Sequence, residues 1–230
     1  MSRPIIALDG PAGSGKSTVG SQVAARLGWL FVDTGIFYRV AALLALRRGI
    51  PLTDEAAVGE LVRGIRVEFS DAPADGPGGP RVIVDGDDVT EALRDPSVDR
   101  TVSLVAALPT VRLALVGPQR AAVGSRPAVV AGRDIGTVIF PDAALKIYLD
   151  ASAEERARRR RAQRAGGSGA ADLGAVLREI EERDRIDSTR AVAPLKAASD
   201  AVYVSTDGLP VEAVVERVLR EWRARAREST

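Results

Sequence analysis

The amino-acid sequence predicts an α/β fold: a parallel β-sheet core flanked by helices, with a small inserted antiparallel β/α lobe and a helical lid. Three observations predict it. From Ile5 to Gly64, apolar runs alternate with helical patterns in the βαβα order of a parallel sheet. Between Ile65 and Val84 the period switches to two, as in a half-buried antiparallel strand pair. Further on, Pro127–Ala131 and Ala144–Leu149 are unbroken apolar runs, suited to central strands buried on both faces.

Ile5–Asp9 is the first strand. It breaks into Gly10-Pro11-Ala12-Gly13-Ser14-Gly15-Lys16-Ser17-Thr18, with glycines spaced G-x-x-x-x-G-K-S, and then into an amphipathic helix from Lys16 to Leu27. That is a phosphate-binding loop in the strand–loop–helix setting its physics requires. Glycines let the backbone turn tightly enough for several N–H groups to converge on one anion, and the helix N-terminus adds its dipole. Gly10 to Thr18 are therefore expected to bind a nucleoside triphosphate, Lys16 reaching its outer phosphates and Ser17 serving as the Mg²⁺ ligand.

Gly28 stops that helix. Trp29–Val32 reads as a short buried strand that ends at Asp33-Thr34-Gly35, followed by a helix from Phe37 to Arg48 closed by Gly49 and Pro51. A further helix, Asp54 to Arg63, starts behind Thr53 as N-cap. Ile65–Phe69 and Arg81–Val84 are strands, Asp85-Gly86 is a hairpin turn, and Asp71–Pro80 is a Pro/Gly-rich exposed loop. Helices are expected at Ser97–Ala107, Thr110–Val123 and Ala153–Ala165. Gly166-Gly167-Ser168-Gly169 reads as a flexible joint, and the chain closes with strand Ala201–Val204 and helix Val211–Arg225. The implied organisation is a core from 1–64, 106–152 and 191–230, an inserted lobe at 65–105, and a lid and arginine segment at 153–190.

Composition narrows the chemistry. The chain has 230 residues, 46% of them hydrophobic, enough for one substantial core and a small lobe. A net charge of +1 gives no global attraction to nucleic acid or membrane, and aromatics for base stacking are few. No run reaches the ~20 apolar residues of a membrane span. The strand that begins at Ile5 leaves no room for a signal peptide, so a cytoplasmic protein is expected. Histidine and cysteine are absent, which excludes an imidazole base, a His-ligated metal and thiolate catalysis. Asparagine is also absent, and with it the N-K-x-D guanine-reading motif. Chemistry here must run on positioning and positive charge.

Four charged constellations follow. Asp33, Thr34, Tyr38 and Arg39 lie just past the second strand, on the ligand side of an open parallel sheet. Gly132-Arg133-Asp134 ends a central strand on that same side, suited to a phosphate and a polar group or, alternatively, to a mutual surface salt bridge. Arg156, Arg158, Arg159, Arg160, Arg161 and Arg164 crowd one helix ahead of the glycine joint, as in a flap that closes over a triphosphate. Glu182 to Arg190 mixes acids with arginines as either a surface network or a source of Arg183, Asp187 and Arg190 for a nucleotide.

In this order the motifs resemble the bacterial cytidylate kinases, of the nucleoside monophosphate kinase family of P-loop proteins. The specific segments are Asp33-Thr34-Gly35-Ile36-Phe37-Tyr38-Arg39, Gly132 to Ala143 and Arg190-Ala191-Val192-Ala193-Pro194-Leu195. The resemblance implies a P-loop kinase that transfers a phosphoryl group from ATP, with Mg²⁺, to CMP or dCMP. Its inserted lobe would bind the monophosphate, and the protein would act as a monomer. Thr34, Tyr38 and Arg39 would contact the acceptor, Arg39 on its phosphate. Ser103, Arg112 and Asp134 would read the cytosine edge, Arg133 would hold the acceptor phosphate, and Arg183, Asp187 and Arg190 would address sugar and phosphate. Lys16, Arg156 and Arg183 would be catalytic. Ala131 departs from the pattern, standing where the family often has an aspartate. Other acceptors on the same scaffold, such as UMP, thymidylate or a hydroxyl substrate, are the alternative, with Asp33 as a base for a hydroxyl. Neither a nucleic-acid partner nor a membrane is expected.

Overall fold

A computed structural model describes residues 3–73, 80–164 and 172–228. The chain divides into two compact units, residues 1–33 with 123–230 and residues 34–122.

The first unit is built on a five-stranded sheet, every neighbouring pair of which is parallel. Its strands are β1 (Ile5–Asp9), β2 (Leu30–Asp33), β6 (Ala128–Ala131), β7 (Leu145–Asp150) and β8 (Val202–Ser205), in the order β2-β6-β1-β7-β8. β1 is central and buried along its whole length, which explains a continuous apolar run in place of an alternating one. Helices α1 (Lys16–Leu27) and α8 (Val211–Glu228) pack on this sheet and on each other. Ile6, Leu8, Val23, Ile147, Leu149 and Val215 form the core, and Trp29 meets Trp222 edge-on at 4.9 Å between ring centres. α6 (Ala153–Arg164) and α7 (Leu173–Thr189) pair through Ala157, Val176 and Ile180.

The second unit holds α2 (Gly35–Arg47), α3 (Glu55–Arg63), α4 (Pro96–Ala107) and nearly all of α5 (Pro109–Val123), with an antiparallel sheet of β3 (Val67–Pro73), β4 (Pro80–Val84) and β5 (Asp87–Asp88). Asp85 (φ 50°) and Gly86 (φ 95°) form the expected hairpin turn, both in the left-handed region that the twist of paired strands favours. Phe37, Val40, Leu43, Val82, Val84 and Val98 lie in its core. This unit starts before the 65–105 segment expected from sequence and extends past it, because α2 packs on α4 and Tyr38 bonds Gln119 of α5.

Two local expectations are corrected. The N-cap of α3 is Asp54, not Thr53: the Asp54 carboxylate accepts the Ala57 N–H at 2.9 Å, and a charged cap also favours the helix dipole. Strand β3 continues through Asp71 to Pro73 and β4 begins at Pro80, so that the expected 71–80 loop is shorter; 74–79 lie outside the described residues. The glycine joint at 166–169 and Ala165 also lie outside them. Among the described residues no single helix is long and apolar enough to cross a membrane.

Candidate active site

The glycine loop sits between the end of β1 and the start of α1. Gly10, Gly13 and Gly15 all have positive φ (147°, 80° and 95°). At Gly10 a Cβ would lie 2.0 Å from the Leu149 carbonyl oxygen, so only glycine lets the loop leave the sheet here. Gly13 faces the Arg156 side chain at a distance only a bare Cα tolerates easily, 3.2 Å from an added Cβ. Ser14 is buried, and Thr18 lies exposed on the first turn of α1, its carbonyl accepting from Ser21.

Lys16 is buried and curls over the loop, its Nζ donating to Pro11 O at 2.6 Å and to Ser14 Oγ at 3.3 Å. Burial pushes its ammonium well below the ordinary lysine range and Arg133 adds to that, while Asp33, Asp9 and Asp187 pull the other way. These residues therefore share one electrostatic neighbourhood. Ser17 Oγ donates to Asp33 Oδ2 at 2.6 Å. A hydroxyl beside a carboxylate is a pair of hard oxygen donors, the set that suits Mg²⁺.

The four charged segments resolve unevenly. Arg133 pairs with Asp187 (Nε to Oδ2, 3.0 Å) rather than with its neighbour Asp134. Arg190 also reaches Asp187 at 3.4 Å, approaches Asp134 at 3.7 Å, and donates to Ala193 O at 2.7 Å. The local salt bridge open from sequence is thus replaced by a cluster of two arginines and two aspartates, all buried except the half-buried Arg133. Burial alone would raise the Asp187 carboxyl, yet Arg133, Arg190 and Arg183 together hold it below its ordinary value. Spacing along α7 explains the split in this segment. Arg183 and Asp187 lie one turn apart on α7 and Arg190 follows as its C-cap, whereas Glu182 and Arg185 pair on the exposed face.

On α6, Arg156 and Arg159 face the glycine loop. Arg156 is buried, donates to Ala12 O at 3.2 Å, and makes a two-pronged pair with Asp184 at 3.0 and 2.6 Å. Arg159 holds Glu155 and both the hydroxyl and the carbonyl of Thr206, while Thr206 Oγ1 donates to Ser14 O at 3.3 Å. Arg158 pairs with Glu155 and Arg164 with Glu179, and Arg158 and Arg161 are exposed.

Sequence reasoning passed over Asp9, Asp184 and Thr206. Asp9 is buried, and its two oxygens accept the Ile135 and Gly136 N–H groups at 2.7 Å each, holding the π-type turn Ile135–Ile139 that follows Asp134. Burial pushes its carboxyl up to about 6, against the lowering effect of those two amides. An aspartate ending an apolar strand was the available signal, but its partners lie 126 and 127 residues away.

In the second unit, Thr34 is buried at the start of α2, one turn before Tyr38. The Tyr38 hydroxyl accepts from Gln119 Nε2 at 3.2 Å, and the Arg112 guanidinium lies 5.1 Å from the centre of its ring. Arg112 also donates to Ala106 O at 3.1 Å, one turn beyond the buried Ser103 on α4. Arg39 pairs with Asp99 at 2.9 Å, and Asp99 lies one turn before Ser103. Tyr38, Arg39, Ser103 and Arg112 thus gather where α2, α4 and α5 meet, with Asp99 and Gln119 as partners the sequence did not announce.

A family model described as cytidylate kinase matches residues 6–224. The chain is 48% identical over 217 residues to the cytidylate kinase of Pseudomonas aeruginosa (strain LESB58), an alignment covering 94% of both chains. It is 47% identical over 225 residues to that of Pelotomaculum thermopropionicum, covering 98% of both. With the cytidylate kinase of Rhodococcus jostii (strain RHA1) the identity is 47% over 219 residues, 95% of this chain and 94% of that one. A phosphate-binding loop flanked by buried arginines, and likeness along nearly the whole length, lead to one conclusion: this chain belongs to the cytidylate kinase family.

Proposed function

We propose that this chain transfers the terminal phosphoryl group of ATP to CMP and dCMP. The observation that supports it best is the pairing of Arg133 and Arg190 with Asp187, in the same electrostatic neighbourhood as the buried Lys16. Guanidinium groups held this way can accept an acceptor phosphate as a second anion near the triphosphate cradle. Residues 65–105 would serve as the monophosphate-binding lobe and 153–190 as the lid.

The acceptor is itself a phosphate whose second pKa is about 6, so at neutral pH its attacking oxygen needs no general base. A chain without histidine is suited to that reaction. Lys16, Arg156 and Arg183 would neutralise charge that spreads over the transferring group, and the loop N–H groups from Gly10 to Thr18 would hold the donor in line. Ser17 would hold Mg²⁺, which when bound draws charge off the phosphate oxygens. Thr34, Tyr38 and Arg39 would seat the acceptor, with Arg39 and Arg133 on its phosphate and Asp187 and Arg190 at its sugar and phosphate. Asp134 would accept from the cytosine amine, while Ser103 and Arg112 would donate to the ring acceptors.

The test is phosphoryl transfer from ATP·Mg²⁺ to a panel of acceptors, compared by kcat/KM. CMP and dCMP are expected to lead; a higher value for UMP, thymidylate or a hydroxyl acceptor would remove the proposal. Asp134→Ala is expected to raise the KM for CMP about 10- to 100-fold, the worth of one charged hydrogen bond, and to leave the KM for ATP within about twofold. An unchanged KM for CMP would take Asp134 out of the base site.

A further inference from the structure

A loop that turns its N–H groups toward an anion turns its carbonyls away from it, and those carbonyls need donors of their own. Lys16 covers Pro11 O at 2.6 Å, and Arg156 covers Ala12 O at 3.2 Å. Ser14 O is served from much farther along the chain, by the Thr206 hydroxyl at 3.3 Å. Thr206 follows the end of β8 and is buried, its own N–H bonded to Asp150 O at 2.8 Å. Arg159 on α6 donates to both oxygens of Thr206, Nη1 to Oγ1 at 2.9 Å and Nη2 to the carbonyl at 2.6 Å. An arginine only donates, so the hydroxyl proton of Thr206 is left for Ser14 O. The direction of the relay from Arg159 through Thr206 to Ser14 is therefore fixed. Glu155 in turn holds Arg159 Nε at 2.9 Å, and Asp207 accepts the Ser152 N–H ahead of α6 at 3.0 and 3.1 Å.

In a trans peptide the carbonyl and the N–H that follows it point in opposite directions, and no cis peptide occurs among the described residues. A donor fixed on Ser14 O thus turns the Gly15 N–H the other way, at the entrance to α1. Gly15 (φ 95°) has no Cβ to resist rotation of that peptide, so its direction is set from outside the loop. We propose that Thr206, oriented by Arg159, is a positioning residue for the donor phosphates: it acts through Ser14 O to aim the Gly15 N–H into the cradle. The inference rests on the nucleotide-binding reading of the glycine loop. It does not depend on which acceptor is phosphorylated.

The test is the affinity of the full chain for ADP and for adenosine, which lacks phosphate, beside the KM values for ATP and CMP. Thr206→Val keeps the branched side chain and removes the hydroxyl. It is expected to weaken ADP binding and raise the KM for ATP about 3- to 10-fold, the worth of one hydrogen bond. Adenosine affinity and the KM for CMP are expected to change less than about twofold, because neither involves the loop amides. Thr206→Ser, which keeps the hydroxyl, is expected to hold ADP affinity within about twofold of the parent. The double variant Thr206→Val/Arg159→Gln is expected to bind ADP about as well as the weaker single variant, since both changes act on one contact. Unchanged ADP affinity in Thr206→Val overturns the proposal. So does an equal loss for adenosine, which would make Thr206 part of a base pocket, and so does a serine variant as weak as the valine one. Losses that multiply in the double variant would detach Arg159 from Thr206 and overturn it too. If the glycine loop takes no nucleotide, the parent itself fails to bind ADP, whereas failure of this inference appears only in the variants. Failure of CMP in the acceptor panel would leave these outcomes standing and would instead overturn the proposed acceptor.

Discussion

Lys16→Ala is expected to lower kcat for phosphoryl transfer by about a thousandfold, the scale on which a preorganised cation at a transferring phosphoryl group acts. The apo protein is expected to be at least as stable as the parent. Lys16 is a buried ammonium whose pKa is driven down chiefly by burial, with Arg133 adding to it. A folded-state pKa below the unfolded value means that the unfolded chain binds more protons, so the charged lysine costs stability at neutral pH and that cost fades as pH rises. Removing the side chain removes the cost. The upward shift in melting temperature that ATP or ADP produces in the parent should shrink in the variant, because the interaction lost is the one with phosphate. Thermal melts with and without nucleotide, beside single-turnover kinetics, measure both. A variant that keeps kcat within tenfold would place the transferring phosphoryl group away from Lys16.

Asp187→Ala carries the other large effect, on stability as well as on binding. Its carboxylate is buried between Arg133 and Arg190, and the Arg190 side chain is 1% exposed. Removing one member of a buried ion cluster leaves the others with uncompensated charge, a loss of about 3–5 kcal/mol. For a chain of this size that corresponds to a fall in Tm of roughly 10 °C. Asp134 at 3.7 Å from Arg190 places the result toward the lower end of that range. The pH dependence has a definite sign. Because the Asp187 carboxyl is held below its ordinary value, its contribution is present above pH ~4 and is lost as pH falls through the depressed folded value. Asp187→Asn should therefore flatten the acid limb of the stability curve, and in either variant the KM for CMP should rise together with the fall in Tm. A Tm unchanged within 1–2 °C (about 0.5 kcal/mol) would mean that Arg133 and Arg190 find other partners at no cost.

These expectations depend on pairings that local sequence does not encode. The glycine spacing and the helix that starts at Lys16 were legible because a phosphate-binding loop is made within nine consecutive residues, Gly10 to Thr18, each used for its own backbone freedom or side-chain length. The parallel sheet was legible because central strands buried on both faces leave unbroken apolar runs. The cap of α3 was misplaced by one residue, since Thr53 and Asp54 are both good caps and only the bond to Ala57 distinguishes them. In the arginine-rich segments the sequence showed abundance without assignment. That Arg156 would take Asp184, 28 residues on, Arg133 take Asp187, 54 on, and Arg39 take Asp99, 60 on, could not be read from periodicity.

By itself, then, the chain determined whatever short-range sterics and burial control: strand and helix order, the glycine cradle, and a chemistry of cations without imidazole or thiol. The tertiary structure decided which carboxylate answers which guanidinium, that Asp9 braces the turn after Asp134, and that Asp33 accepts from Ser17. The physical reason is range. Backbone preferences and side-chain burial repeat within a few residues, whereas a buried charge is satisfied by whichever opposite charge the fold carries to it, however distant along the chain.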